Sequence, residues 1–151
     1  MTDTVSPNKR SQMMSGIRGK NTKPELLVRK ALFSAGFRFR LHCRKLPGVP
    51  DIVLPKHRVA VFVNGCYWHR HDGCKFFKLP STRVEFWKEK LNGNKKRDLL
   101  KSFALQAAGW RVLTIWECAV RDQTILNNLP KLFSDWLNGG NMTGEITGAA
   151  S

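Results

Sequence analysis

The chain has 151 residues, of which 42% are hydrophobic and 25% are charged, and this balance is typical of one globular domain. No apolar run approaches the roughly 20 residues that a membrane-spanning helix needs. Residues 1–10 are polar and lack the apolar core of a signal peptide. These features exclude a membrane span and a disordered tail, and they favour a cytoplasmic protein.

The charge balance points to an anionic partner. The chain carries 26 Lys and Arg against 11 Asp and Glu, a net charge of +15. Such a charge repels itself unless an anion relieves it, and nucleic acid is the usual anion because its phosphates release counterions on binding. A solubility surface, a ribosomal role or a membrane-surface role are the alternatives that charge alone leaves open.

The N-terminal part predicts an arm followed by a helix. Residues 1–20 are polar and basic with little periodicity, which predicts a flexible N-terminal arm. Thr22 can cap a helix, Pro24 is tolerated in its first turn, and Glu25 occupies the capping-box position. Apolar residues at helical spacing then continue to Gly36.

Three short β-type segments come next. Residues 37–42 alternate apolar and polar side chains, as a half-buried strand does. After a turn over residues 46–50, the runs 51–54 and 58–63 are strongly β-type and are joined by a segment short enough for a hairpin.

The second half predicts more helices and one returning strand. Residues 64–82 are irregular and rich in His, Cys and aromatics. The later elements are helices over 83–91 and 95–108, a strand over 110–116 and a last helix over 125–137. We therefore expect an α/β fold with a mixed central sheet flanked by helices. This domain would span 21–137, and the glycine-rich residues 138–151 would form a flexible, frayed tail.

A cluster of soft ligands predicts a metal site. Cys66, His71 and Cys74 lie within nine residues of one another, and Cys118 follows a strand that could return to the same place. Three thiolates and an imidazole would satisfy tetrahedral zinc and leave no position for water, as in structural sites. Scattered buried thiols are the alternative, but clustering in a polar loop favours zinc. Cys43 stands outside and is a small core residue or a free thiol.

His69 has three open interpretations. It lies two residues from His71, so in an extended loop both side chains share a face. It could be a metal ligand, a bystander, or a general base, because imidazole titrates near neutral pH.

Asp51 follows Pro50 at the start of a β-type run. Phosphodiester cleavage uses a hard cation held by oxygen ligands, and an Asp entering a hairpin could supply one. Nucleases of the PD-(D/E)xK type carry such an Asp, with an acid and a lysine on the next strand. Here the next strand, over residues 60–65, contains neither, so the motif is incomplete.

Aromatic residues interleave with basic ones beyond the metal loop. Tyr67 and Trp68 lie in that loop, and Phe86 and Trp87 begin a basic helix. Exposed aromatics in such surroundings stack on bases or wedge between base pairs. Core packing is the alternative for Trp side chains, and it is our expectation for Trp110 and Trp116.

Taken together, these pieces resemble the Vsr endonuclease family over residues 11–120. The resemblance is carried by six stretches in order: Asn21-Thr-Lys-Pro-Glu25, Leu46-Pro-Gly-x-Pro-Asp51, Gly65-Cys-Tyr-Trp-His69-x-His71, Phe86-Trp-x-x-Lys90, Asn94-x-x-Arg-Asp98 and Gly109-Trp-Arg-Val-x-x-x-Trp-Glu-Cys118. Any one stretch is modest support, whereas six in sequence are specific.

The resemblance implies a fold and an activity. The fold would be a variant of the restriction-endonuclease type with the incomplete motif noted above. The activity would be a Mg²⁺-dependent nick on the 5′ side of the thymine in a T:G mismatch, the product of 5-methylcytosine deamination. That nick begins short-patch resynthesis. The partner would be double-stranded DNA bound by a monomer.

The resemblance also implies roles for individual residues. Asp51 would hold Mg²⁺, His69 would activate water, and Glu25 would assist at the metal site through water. The structural Zn²⁺ ligands would be Cys66, His71, Cys74 and Cys118. The DNA-contacting residues would be Tyr67, Trp68 and Trp87 as a wedge, Met14 from the opposite groove, and Lys90 and Asn94 as readers of the T:G pair.

One residue departs from the family pattern. Family members usually carry a histidine where this chain has Asn64. Asparagine donates hydrogen bonds but cannot hold a proton, so we expect Asn64 to position other groups at most. Either catalysis then depends more heavily on His69, or the activity is reduced. Tyr67 in place of the usual Phe still stacks.

Two alternative functions remain. The first is a restriction-type or mobile-element nuclease that cuts matched DNA, and the second is a zinc DNA-binding module without activity. The retained Asp51, His69 and Glu25 argue against the second. The aromatic wedge argues against the first, because unstacking costs least at a weakened base pair.

Overall fold

The computed structural model describes residues 21–148. In chain order the elements are α1 (Lys23–Ser34), β1 (Arg40–Leu41), β2 (Ile52–Leu54), β3 (Val59–Asn64), α2 (Val84–Ala107), β4 (Arg111–Trp116), α3 (Glu117–Val120), α4 (Gln123–Asn127), α5 (Leu129–Asn138) and β5 (Thr143–Ile146). None of the helices in this part of the chain has the length and apolar character needed to cross a membrane.

The strands form one mixed sheet in the order β1-β2-β3-β4-β5. The first three strands are antiparallel neighbours, with Ile52 opposite Val61 in the β2/β3 hairpin. β4 pairs in parallel with β3, with Asn64 opposite Trp116, and β5 pairs in parallel with β4. The crossover from β3 to β4 contains the irregular loop, which begins at the end of β3, and α2, which leads back to the start of β4.

Helices cover both faces of the sheet because its strands are apolar on both sides. On one face Val61 and Leu113 pack with Val28 of α1 and Phe133 of α5. On the other face Ala60 and Val112 pack with Leu105 of α2. Strands buried on two faces need no alternation of polar residues. The predicted mixed sheet flanked by helices is confirmed, and its kinship to restriction endonucleases stays a prediction.

Helix α2 differs from the sequence prediction of two helices over 83–91 and 95–108. It runs without a break through Gly93. A glycine inside a helix costs about 1 kcal/mol relative to alanine, and burial of Leu91 and Leu105 on the two halves offsets that cost. The Asn94 side chain also donates to the Trp68 carbonyl at 2.9 Å. Tertiary contacts therefore override the local break signal.

The C-terminal segment differs as well. Where we predicted a frayed tail from residue 138, Thr143–Ile146 form strand β5, and Ile146 is buried against the core. The glycines made this segment look irregular, but Gly144 is required there because a Cβ would lie 2.3 Å from Nε1 of Trp136. The predicted last helix is two helices, α4 and α5, and the predicted strand over 37–42 is reduced to β1.

Candidate functional site

The four predicted zinc ligands lie together. One ligand atom from each of Cys66, His71, Cys74 and Cys118 lies within 4.8 Å of the others. Cys66 follows the end of β3, and Cys118 lies in α3 directly after β4, so the parallel pairing of these strands brings the two thiols to one edge of the sheet. This cluster, called the thiol cluster below, could hold one metal ion.

Hydrogen bonds around the thiol cluster favour charged sulfur. The amide of Cys118 donates to Sγ of Cys66 at 3.3 Å, that of Phe76 to Sγ of Cys74 at 3.4 Å, and that of Gly148 to Sγ of Cys118 at 3.2 Å. Burial raises the pKa of Cys66 and Cys118. Buried thiols that are surrounded by amide donors fit a bound soft cation, which favours their thiolate forms.

The His71 ring packs against an aromatic side chain, and the fourth cysteine lies apart from the cluster. The His71 ring stacks on Trp116 with centroids 4.0 Å apart and planes 3° apart. Trp116 is buried as expected, whereas Trp110 is half-buried beneath the Arg58 guanidinium at 5.0 Å. Cys43 lies outside the cluster as a half-buried free thiol.

A second cluster is built from harder ligands. Ligand atoms of Glu25, His42 and Asp51 lie within 4.8 Å of one another. His42 directly follows β1 and Asp51 directly precedes β2, and the His42 amide donates to the Asp51 carbonyl at 3.1 Å. Glu25 enters from the first turn of α1. These three residues, called the acidic cluster below, could hold one metal ion.

The Glu25 carboxylate makes more contacts than a helix-capping residue usually does. Its side chain is 2% exposed, and Oε2 accepts from the Asn21 amide at 3.1 Å and contacts Nε2 of His42 at 2.8 Å. Arg29 forms an ion pair with the same oxygen. Thr22 Oγ1 accepts a hydrogen bond from the Glu25 amide at 3.3 Å, as in a capping box. In a capping box the Glu25 carboxylate would accept from the Thr22 amide, whereas here it accepts from the amide of Asn21, one residue earlier. The Glu25 side chain therefore both contacts the start of α1 and belongs to the acidic cluster.

Asp51 has a perturbed carboxyl group. Burial raises its pKa to about 7, the negative charge of Glu25 adds to the rise, and a hydrogen bond from the Val63 amide at 2.8 Å opposes it. Desolvation penalises the charged form of a carboxyl, and a nearby cation reverses that penalty. The buried carboxylate of Glu25 and the half-buried carboxylate of Asp51 supply oxygen ligands, which fit a hard divalent cation.

Asp51 and His69 open into one cavity of about 350 Å³. Nδ1 of His69 lies 2.6 Å from Oδ2 of Asp98, a residue of α2. An imidazole that donates Nδ1–H to a carboxylate keeps Nε2 as its proton acceptor. Asn64, at the end of β3 and 7% exposed, lines the same cavity.

The predicted wedge residues form an aromatic cluster outside the cavity. The ring centroids of Tyr67 lie 5.2 Å from Trp68 and 6.3 Å from Trp87, and those of Trp68 and Trp87 lie 6.2 Å apart. All three side chains are half-buried, and Phe86 beside them is 46% exposed. They form a contiguous aromatic surface at the start of α2.

The other predicted DNA contacts are distributed along the chain. Lys90 is exposed on α2, and Asn94 lies one turn further along, where its side chain holds the Trp68 carbonyl. Arg97 donates to the oxygen of the Asn94 amide. Met14 and the predicted arm lie outside the described residues.

Three site residues were missed at the sequence level: His42, Asp98 and Lys101, which all line the cavity with Asp51. Asp98 belongs to one of the family-like stretches, and the scarcity of acids was a signal for it. His42 was interpreted only as the end of an alternating strand. Lys101 carried no local signal, because its place depends on how α2 crosses the sheet.

Comparison with known proteins gives consistent matches. Residues 2–75 match the family model described as DNA mismatch endonuclease Vsr. The chain is 38% identical over 148 residues to the DNA mismatch endonuclease Vsr of Escherichia coli K12, covering 97% of this chain and 94% of that protein. It is 49% identical over 122 residues to the type II nicking enzyme V.XorIIP of Xanthomonas oryzae, covering 81% and 89%. Identity to V.NmeAIP of Neisseria meningitidis, another type II nicking enzyme, is 40% over 139 residues, covering 89% and 99%.

Proposed function

Because this chain belongs to the Vsr family of DNA mismatch endonucleases, we propose that it nicks duplex DNA on the 5′ side of the thymine in a T:G mismatch. The observation that carries the proposal is the cavity shared by Asp51 of the acidic cluster and His69 with its Asp98 partner. A half-buried carboxylate that can hold a metal ion and an oriented imidazole that can accept a proton are groups that favour hydrolysis of a phosphodiester. The protein would act as a monomer in the cytoplasm.

Each cluster fits a different metal ion. Asp51 and Glu25 offer oxygen ligands, which Mg²⁺ prefers, and the bound ion would polarise the phosphate and stabilise the charge that develops on its oxygens. The thiol cluster offers three sulfurs and one imidazole, which fit Zn²⁺ in a closed structural site. It would hold the loop that carries Tyr67, Trp68 and His69.

His69 would serve as the general base. Asp98 accepts the Nδ1 proton, so Nε2 is available to take a proton from water. The water oxygen then forms a bond to phosphorus as the bond from phosphorus to the leaving sugar oxygen breaks, and that oxygen takes up a proton. Asn64 can donate a hydrogen bond to a phosphate oxygen but cannot accept and hold the proton.

The aromatic cluster would give the preference for a mismatch. Inserting Tyr67, Trp68 and Trp87 into the duplex costs unstacking energy of a few kcal/mol, and this cost is lowest beside a weakened pair. Lys90 and Asn94 lie on the same helix as Trp87 and would read the T:G pair, with Met14 contacting the opposite groove. The net charge of +15 would attract the phosphate backbone.

A duplex assay tests the proposal. Single-turnover nicking is measured on T:G and fully matched duplexes of identical flanking sequence, with Mg²⁺ and with EDTA. We expect one nick, 5′ of the mispaired thymine, only on the T:G duplex and only with Mg²⁺. Equal cleavage of the matched duplex would instead support a restriction-type nuclease. Tight binding of both duplexes without any cleavage would support a zinc DNA-binding module.

A further inference from the structure

Strand β3 lacks the lysine that the PD-(D/E)xK motif places there. A PD-(D/E)xK nuclease places an acid and a lysine on this strand, whereas residues 59–64 contain neither. A lysine from another element nevertheless reaches the cavity. We infer that Lys101 of α2 contacts the scissile phosphate and supplies the positive charge that β3 lacks. The inference rests on the proposed endonuclease function.

The position of Lys101 on its helix supports this role. Lys101 follows Asp98 by three residues, so both side chains lie on one face of α2. Asp98 holds His69, and Lys101 lines the cavity together with Asp51 and His69. The face of α2 that orients the proposed base therefore also presents a cation to the same space.

A glycine aligns the Lys101 side chain. A Cβ added at Gly48 would lie 2.7 Å from Cγ of Lys101, so the alkyl stem lies directly on the Gly48 backbone. Gly48 also has φ +75°, a conformation that favours glycine. Gly48 belongs to the turn that leads into Asp51, which follows it by three residues. One turn thus fixes both the carboxylate and the lysine at the cavity wall.

The charge of Lys101 is available to a ligand. Among residues 21–148, no hydrogen bond or ion pair holds its ammonium group, whereas the charges of Lys95 and Lys131 are paired with Asp72 and Asp135. Lys101 is half-buried, and its charge lowers the pKa of Asp51 against the effect of burial. A half-buried cation beside a carboxylate and an imidazole fits a phosphate oxygen, whose charge increases in the transition state.

A double-mutant cycle between the side chain and the phosphate tests the contact. Binding of T:G duplexes is measured in EDTA for the wild type and Lys101→Met, with either a native phosphate or an uncharged methylphosphonate at the scissile position. We expect Lys101→Met to weaken binding of the native duplex about tenfold, as loss of a charged hydrogen bond does. It should have no further effect on the methylphosphonate duplex, because the charge it contacts is already absent.

Lys96→Met is the matched control, because Lys96 is exposed on the same helix and does not line the cavity. It should affect both duplexes equally. Lys101→Arg keeps the charge and should retain most of the coupling, and thermal melting checks that each variant is folded. Equal effects of Lys101→Met on both duplexes would overturn the inference, whatever the nicking result. If the cycle shows coupling but the wild type fails to nick T:G DNA, the phosphate contact stands and the proposed function fails.

Discussion

The thiol cluster and the acidic cluster each gather ligands that could hold a metal ion, yet they are built differently. The thiol cluster draws three of its four members from one loop, and backbone amides surround its sulfurs. The acidic cluster draws single residues from α1, the end of β1 and the start of β2. It also opens into a cavity through His42 and Asp51.

Under the proposed function, this difference assigns a structural role to the thiol cluster and a chemical role to the acidic cluster. A closed set of soft ligands leaves no position for a substrate and stabilises the fold outright. An oxygen-rich set with a raised carboxyl pKa is costly for the apoprotein, and such cost is typical of groups arranged for reactivity. Substitutions in the acidic cluster should therefore lower the nicking rate, whereas substitutions in the thiol cluster should lower the stability of the fold.

The largest effect should come from Asp51→Ala. We expect the single-turnover nicking rate to fall by at least about 10⁴-fold, because the oxygen ligand of the catalytic ion is lost. Zinc content and affinity for the T:G duplex should stay within error of the wild type. If the variant nicks at the normal rate, the assignment of Asp51 to the metal site is wrong.

Cys118→Ser should produce the opposite pattern. Loss of one thiolate from the thiol cluster should release zinc and lower the free energy of unfolding by about 3–5 kcal/mol, as for other structural metals and buried ligands. Zinc stoichiometry and denaturant unfolding measure both effects. Cys43→Ser is the control and should keep its zinc. A stable, zinc-loaded Cys118→Ser protein would remove this residue from the ligand set.

Asp98→Asn should weaken the chemistry without changing either cluster. An asparagine can present an N–H to Nδ1 of His69 and so favour the tautomer whose Nε2 carries the proton. We expect the nicking rate to fall about 10²- to 10⁴-fold with unchanged DNA affinity. Asp72→Asn is the comparison, since within residues 21–148 Asp72 forms its ion pairs with Arg70 and Lys95 near the surface. Equal rates for the two variants would contradict the role of Asp98.

The smallest effect concerns stability and pH. The pKa of Asp51 in the folded protein, about 7, lies above its ordinary 3.8, so folding favours the protonated carboxyl. The magnesium-free protein should lose this stabilisation as pH rises from about 4 through 7. At pH 8 without magnesium, Asp51→Asn should therefore be more stable than the wild type by about 2 kcal/mol. This is less than the full pKa shift would give, because solvent partly screens the half-buried carboxylate.

The same variant provides its own control at acid pH. At pH 3, where Asp51 is mostly protonated in both the folded and the unfolded chain, the stability difference should nearly vanish. Denaturant unfolding at the two pH values measures this. A constant difference between pH 3 and pH 8 would show that titration of Asp51 does not cause the effect.

The sequence was informative where ligands are close neighbours or where a pattern is strong. Cys66, His71 and Cys74 lie in one short loop, and the hairpin of β2 and β3 followed from dense β-branched runs. The strand leading to Cys118 also had a clear β-type composition. These features depend on local spacing, which a linear pattern records well.

Features that depend on tertiary contacts were missed. His42 joins Asp51 because β1 pairs with β2, and Lys101 reaches the cavity because α2 packs on one face of the sheet. The continuity of α2 through Gly93 and the pairing of β5 have the same origin, since distant residues bury these segments. No local signal distinguishes such residues from ordinary surface ones.

The bond from the Gly148 amide to Sγ of Cys118 has a consequence for biosynthesis. Cys66 and Cys118 are separated by 52 residues, and Gly148 lies 30 residues further along. A ribosome adds residues at roughly 5–20 per second, so several seconds separate the first thiol from its last supporting amide. A nascent chain would therefore remain without a finished thiol cluster, and without a firmly held His69, until Gly148 has been synthesised.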